Sequence, residues 1–150
     1  MTPGARFTRW APAAAVLALA AGGLTGCREA EVSSPAGYEP VKLEPIGKGD
    51  LKRVTFTAEG ARRVGLRTAP AIREGGATVV PYDALIYDGA GKAYVYTSPA
   101  PLSYVRLEVR VDRVEGDRVL LARGPRPGTR VVTVGASQVY GAENEIEGGH

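Results

Sequence analysis

Tyr104-Val-Arg-Leu-Glu-Val-Arg-Val111 is the stretch whose reading decides the fold. From Val105 onward, Val105, Leu107, Val109 and Val111 alternate with Arg106, Glu108 and Arg110. A period of two sends successive side chains to opposite faces of an extended chain, so the stretch predicts a β-strand with one dry and one wet face. Similar segments flank it on both sides, separated by turn residues. Upstream, Ala84-Leu-Ile-Tyr87 and Lys92-Ala-Tyr-Val-Tyr-Thr97 are joined by Asp88-Gly-Ala-Gly91, which predicts a hairpin with a Gly-rich loop. Downstream, Glu115-Gly-Asp117 turns into Arg118-Val-Leu-Leu-Ala122, and Pro125-Arg-Pro-Gly128 turns into Thr129-Arg-Val-Val-Thr-Val134.

Further upstream, Leu51-Lys-Arg-Val-Thr-Phe56 predicts a strand, and Thr57 is placed to cap a short helix over 58–64 that Gly65 ends. Leu66-Arg-Thr-Ala69 is extended before Pro70, Glu74-Gly75-Gly76 is a turn, and Val79-Val80-Pro81 opens the main β region. The expectation is an all-β fold: a small β-barrel or β-roll-like domain of about six strands with one short helix, over residues 50–142. Residues 143–150, which end in Gly-Gly-His, read as a frayed tail. Residues 27–49, with Ser33, Ser34, Pro35, Gly37, Pro40, Pro45, Gly47 and Gly49, read as a flexible tether.

Composition narrows the chemistry. The 150 residues contain one Cys and one His, and the His is the last residue, His150. A disulfide framework, a multi-cysteine or paired-histidine metal site and a Ser-His-Asp triad are excluded. Residues 1–26 read as a secretory signal: Arg6 and Arg9 with no acid, then the apolar Ala11-Pro-Ala-Ala-Ala-Val-Leu-Ala-Leu-Ala20, then small residues. As a helix, residues 11–24 would cover only about 21 Å, short of the roughly 30 Å hydrocarbon core. Removing the signal takes away two of the 19 Lys+Arg and none of the 16 Asp+Glu, so a formal +3 becomes +1. A nucleic-acid partner loses its electrostatic basis. Met1 and Trp10, the only Met and the only Trp, leave with the signal, so soft-metal ligands are lacking too.

The signal ends in Leu24-Thr25-Gly26-Cys27, which resembles the bacterial lipobox of lipoprotein precursors. The resemblance implies a diacylglycerol on the Cys27 thiol, cleavage before it, and a chain tethered at the extracytoplasmic face of the cell membrane. Two acyl chains hold where one binds only marginally, because each buried CH₂ contributes about 0.8 kcal/mol. No other cofactor is expected.

Three further stretches together resemble the periplasmic adaptor proteins of RND-type efflux pumps, the membrane fusion proteins of the HlyD type. The first is Val54-Thr-Phe-Thr-Ala-Glu-Gly-Ala-Arg-Arg-Val-Gly-Leu-Arg-Thr-Ala-Pro70. The second is Val79-Val-Pro-Tyr-Asp-Ala-Leu-Ile-Tyr-Asp-Gly89 with Ala93-Tyr-Val-Tyr96. The third is Val109-Arg-Val-Asp112, Gly116-Asp-Arg-Val-Leu-Leu121 and Gly124-Pro-Arg-Pro-Gly-Thr-Arg-Val-Val-Thr-Val-Gly135. Full adaptors carry a lipoyl domain and a helical hairpin between the first and second stretches. Here Ala71-Ile-Arg-Glu-Gly-Gly-Ala-Thr78 joins them directly, so the resemblance is to the membrane-proximal part alone. It implies a non-catalytic accessory subunit of a transport or efflux system, partnered by a transporter or permease and by the membrane, with a homo-oligomer left open.

Among candidate contact residues, Tyr94 and Tyr96 share one face of a strand and, with Arg106 and Arg110, form an expected partner surface. The blander reading puts the tyrosines at the core edge and the arginines on a solvated face. Asp88-Gly-Ala-Gly91 lacks the ligand spacing of a calcium loop and the Lys-Ser/Thr of a phosphate loop. The alternative function is a free-standing envelope lipoprotein that binds a small ligand or envelope component. An enzyme using only Asp, Glu, Tyr or Arg is the third class.

Overall fold

Thr57 and Gly65 bracket the first helix as the sequence predicts. In the computed structural model, which describes residues 39–145, α1 spans Ala58–Val64. The Thr57 hydroxyl accepts the Gly60 N–H at 3.0 Å. Gly65 adopts the left-handed conformation (φ 71°), and its N–H reaches the Ala61 and Arg62 carbonyls. A β-carbon at Gly60 would lie 2.8 Å from the Pro40 carbonyl oxygen, so the bare glycine lets the incoming chain pack on the helix.

That incoming chain is the first departure from expectation. Part of the expected tether, Val41–Pro45, forms strand β1, antiparallel to β2 (Lys52–Phe56). Val41 and Leu43 are half-buried against the second core described below. The strands that follow are β3 (Arg67–Pro70), β4 (Ile72–Glu74), β5 (Ala77–Pro81), β6 (Ile86–Tyr87), β7 (Ala93–Ala100), β8 (Ser103–Glu115), β9 (Arg118–Arg123) and β10 (Arg130–Val134). A 3-10 turn, Tyr82–Ala84, separates β5 from β6, and a second helix, α2 (Ala136–Glu145), follows β10. The described residues thus hold ten strands and two α-helices, more elements than the six strands and one helix expected. The class is as expected: an all-β, barrel-like domain whose sheet curls into a half-barrel.

The residues expected to fray are the second departure. Helix α2 takes in residues 136–145, and Glu143 is only 1% exposed. Residues 146–150 lie outside the described residues.

Every strand pairing is antiparallel, along the path β3-β10-β7-β8-β9-β5-β4. The thirteen-residue β8 organises this path. Its first part pairs with β7 on one edge and β2 on the other, and its second part pairs with β9. The junction Ala71–Thr78 is itself a hairpin, β4 and β5 joined at Gly75 and Gly76, both at positive φ. It therefore extends the sheet rather than merely spanning a gap.

Both faces of the central strands are covered. Val95 of β7 and Val131 of β10 join Val80, Val109, Val119 and Leu121 in a first core. Their immediate neighbours Tyr96 and Val132 join Val54, Phe56, Ala61, Tyr104 and Val139 in a second core on the opposite face, under α1 and α2. This corrects the expectation that β8 has one wet face. Tyr104, on the even-numbered face, is 4% exposed and meets Phe56 edge-on at 6.0 Å. Leu107, on the supposedly dry face, is 37% exposed. A strand this long leaves one environment and enters another, and its register shifts between Arg110 and Val111 and again before Arg113.

Candidate functional site

The strand register brings Tyr94, Tyr96 and Arg106 together. Tyr96 stands opposite Arg106 and Tyr94 opposite Glu108 across β7 and β8. The Arg106 guanidinium lies over the Tyr94 ring, 4.9 Å from its centre. Tyr96 is fully buried, however, so the expected partner surface of Tyr94, Tyr96, Arg106 and Arg110 does not exist as a unit. The physical reason is α2, which covers this face.

The partner that α2 supplies is Glu143. The Tyr96 hydroxyl donates to its carboxylate, Arg106 Nε lies 3.5 Å from Oε2, and the Lys52 N–H donates to Oε1 at 3.4 Å. The Lys52 ammonium also donates to the Glu143 carbonyl, at 3.4 Å. A buried carboxylate with a cation and two donors is satisfied in the way that low-dielectric burial requires. Burial, and then the hydrogen bond to Glu143, holds the Tyr96 hydroxyl protonated far above the ordinary tyrosine range. The network joins α2 to β2, β7 and β8. Sequence reading missed Glu143 because it was assigned to the tail. The usable signal was its spacing of four from Val139, which puts both on one helical face.

The Asp88 loop closes a hairpin, as its spacing predicted. The Asp88 carboxylate accepts the Ala90 and Lys92 N–H groups at 2.9 Å each and the Tyr94 hydroxyl at 3.2 Å. These donors, the Lys92 amide foremost, lower its pKa. Tyr94 is shifted upward, by desolvation first and by Asp88 second.

Arg110 lies elsewhere, in a broad groove of about 980 Å³. Its walls come from Tyr87, the Gly91–Ala93 turn, residues 107–111 of β8 and residues 122–124 at the end of β9. Tyr87 (52% exposed) and Leu107 give it an apolar component. Lys92, Glu108, Arg110 and Arg123 supply the charges, with Lys92 Nζ 3.8 Å from Glu108. Among the described residues no three His, Cys, Asp or Glu side chains converge as metal ligands would, and no helix is long and apolar enough to cross a membrane. Leu24, Thr25, Gly26, Cys27 and His150 lie outside the described residues.

Compared with known proteins, the chain matches no family model, no curated protein and no solved structure.

Proposed function

We propose that the protein is a lipid-anchored, extracytoplasmic, non-catalytic accessory subunit of a membrane transport or efflux system, similar in role to the membrane-proximal part of an RND-type adaptor. The observation that carries the reading is the assembly of the three quoted stretches into one sheet. Residues 54–70 supply part of β2, α1 and β3; residues 79–96 supply the end of β5, β6 and the start of β7; residues 109–135 supply the end of β8, β9 and β10. The lipobox-like Leu24-Thr25-Gly26-Cys27 supports the anchor.

The test is chemical cross-linking in whole cells, detergent extraction and purification through an affinity tag on the full chain. Co-purification of a polytopic transporter subunit is the expected result, and its absence overturns the reading. Cys27→Ser abolishes labelling by radioactive palmitate if the anchor is as proposed; unchanged labelling refutes the anchor. The groove around Leu107 favours a second reading, a free-standing lipoprotein that captures a small ligand. Function without any transporter partner would select it.

A further inference from the structure

Leu66, Leu102 and Tyr104 share a groove with one side of α1. Ala58, Ala61, Arg62 and Gly65 form the helix wall, and their spacing of three, four and seven puts them on a single helical face. Facing them is the tip of the β7–β8 hairpin. It is tied to the chain entering the helix by the Phe56 N–H, which donates to the Leu102 carbonyl at 2.9 Å. The strand register agrees with this placement, since Tyr104 pairs with Val54 of β2. Tyr104, Val54 and Ala61 all belong to the second core, against which Leu66 and Leu102 pack.

Two local rules are broken along this groove. Tyr104 is 4% exposed, yet its hydroxyl has no hydrogen-bond partner among the described residues. Tyr96, buried in the same core, gives its hydroxyl to Glu143. An orphaned buried hydroxyl carries a free-energy cost that a partner would recover. Burial alone raises the Tyr104 pKa, so the group is a proton donor at neutral pH. Leu102 is the second exception, the one non-glycine residue at positive φ (60°) among the described residues. Strain of this kind persists where the surroundings hold it, and it recurs at ligand clamps. The Arg62 side chain has no hydrogen bond or ion pair among the described residues, whereas its neighbour Arg63 pairs with Glu59. No acid lines the groove, and its other charged residue is Arg67.

We infer that this groove is a binding site for a carboxylate carried on a compact apolar body, with the Tyr104 hydroxyl donating to one carboxylate oxygen and Arg62 to the other. A neutral donor beside a guanidinium matches the two oxygens and the single charge of such an anion. The apolar body lies against Leu66 and Leu102, and a volume of about 560 Å³ is in the usual range of a small-molecule site. The site shares no residue with the groove around Leu107 and needs no transporter partner.

The test is calorimetric titration of the full chain, purified in a non-ionic maltoside detergent. Five probes are used: cyclohexanecarboxylate, hexanoate, cyclohexanecarboxamide, acetate and phenyl phosphate. Saturable binding of cyclohexanecarboxylate or hexanoate is expected, about tenfold or more tighter than that of the other three, as loss of one charge-assisted contact predicts. Tyr104→Phe and Arg62→Gln each weaken binding by about tenfold, while Arg63→Gln, outside the groove, leaves it unaltered. Without ligand, Tyr104→Phe melts no lower than the wild type, because the hydroxyl it removes has no partner to lose. Absence of saturable binding, equal affinity for the amide, acetate or the phosphate, unchanged affinity in either groove variant, or a lower melting temperature of ligand-free Tyr104→Phe would each overturn the inference.

Discussion

The two cores lie back to back on the same strands and are built on different principles. The first, around Val95, Val109, Leu121 and Val131, is entirely aliphatic. Its cohesion is loss of apolar surface from water plus close packing, with no directional requirement beyond shape. The second mixes Phe56, Tyr96 and Tyr104 with a buried carboxylate, Glu143, held by Tyr96, Arg106 and Lys52. Adjacent residues, Val95 and Tyr96, belong to the two different regimes. The lesson is one of specificity. An aliphatic core tolerates many arrangements of similar volume, whereas a buried carboxylate admits only the docking that satisfies it. Helix α2 is the element so fixed.

The largest effect that could break this contrast is expected from Glu143→Ala. Removing the carboxylate strands a mostly buried guanidinium and a buried hydroxyl, and breaking such a pair costs about 3–5 kcal/mol. Denaturant unfolding measures it, and a cost no greater than that of the exposed control Glu108→Ala would mean that α2 docks by apolar contact alone. Leu121→Ala probes the aliphatic core and costs about 3 kcal/mol through transfer and cavity together. Tyr96→Phe deletes one donor to the carboxylate and costs about 1–2 kcal/mol. In a double-mutant cycle with Glu143→Gln the two changes couple rather than add.

The same tyrosine gives the second core an alkaline limit. Because its folded-state pKa is raised, its contribution to stability is complete below the unfolded value of about 10 and is lost as pH rises above it. Wild type therefore loses stability more steeply above pH 10 than Tyr96→Phe does. Parallel curves from pH 9 to 11 would remove the network from the account. The smallest effect is expected from Asp88→Asn, which leaves both cores intact. Amide exchange of Ala90 and Lys92 quickens while the global melting temperature barely changes.

Local chemistry was legible in the sequence wherever a single residue decides a conformation. Thr57 and Gly65 mark the ends of α1 because a cap and a left-handed stop act within one turn. The Asp88 loop and the Gly75–Gly76 turn read correctly for the same reason. Strand β1 did not, since Val41-Lys-Leu-Glu44 is short, lies between prolines and gains its stability from pairing with β2 and burial against the second core. Helix α2 escaped because its buried face includes a glutamate, which counts as polar until Tyr96 and Arg106 are known to meet it. The candidate site was half legible. Arg110 was singled out, but Arg123, thirteen residues away, becomes its neighbour only through the β8–β9 register.

The β4–β5 tip has a consequence for engineering. Gly75 and Gly76 have open space where side chains would stand, and β4 is exposed along its whole length. Tips of this kind accept grafted sequence with little cost to the fold. Their two ends lie about 5 Å apart, the spacing of paired strands, so a cassette with closely spaced termini can be spliced there while Ile72 and Val79 keep their register. A reporter or a helical arm inserted between the glycines would ride on the completed domain as an outboard module.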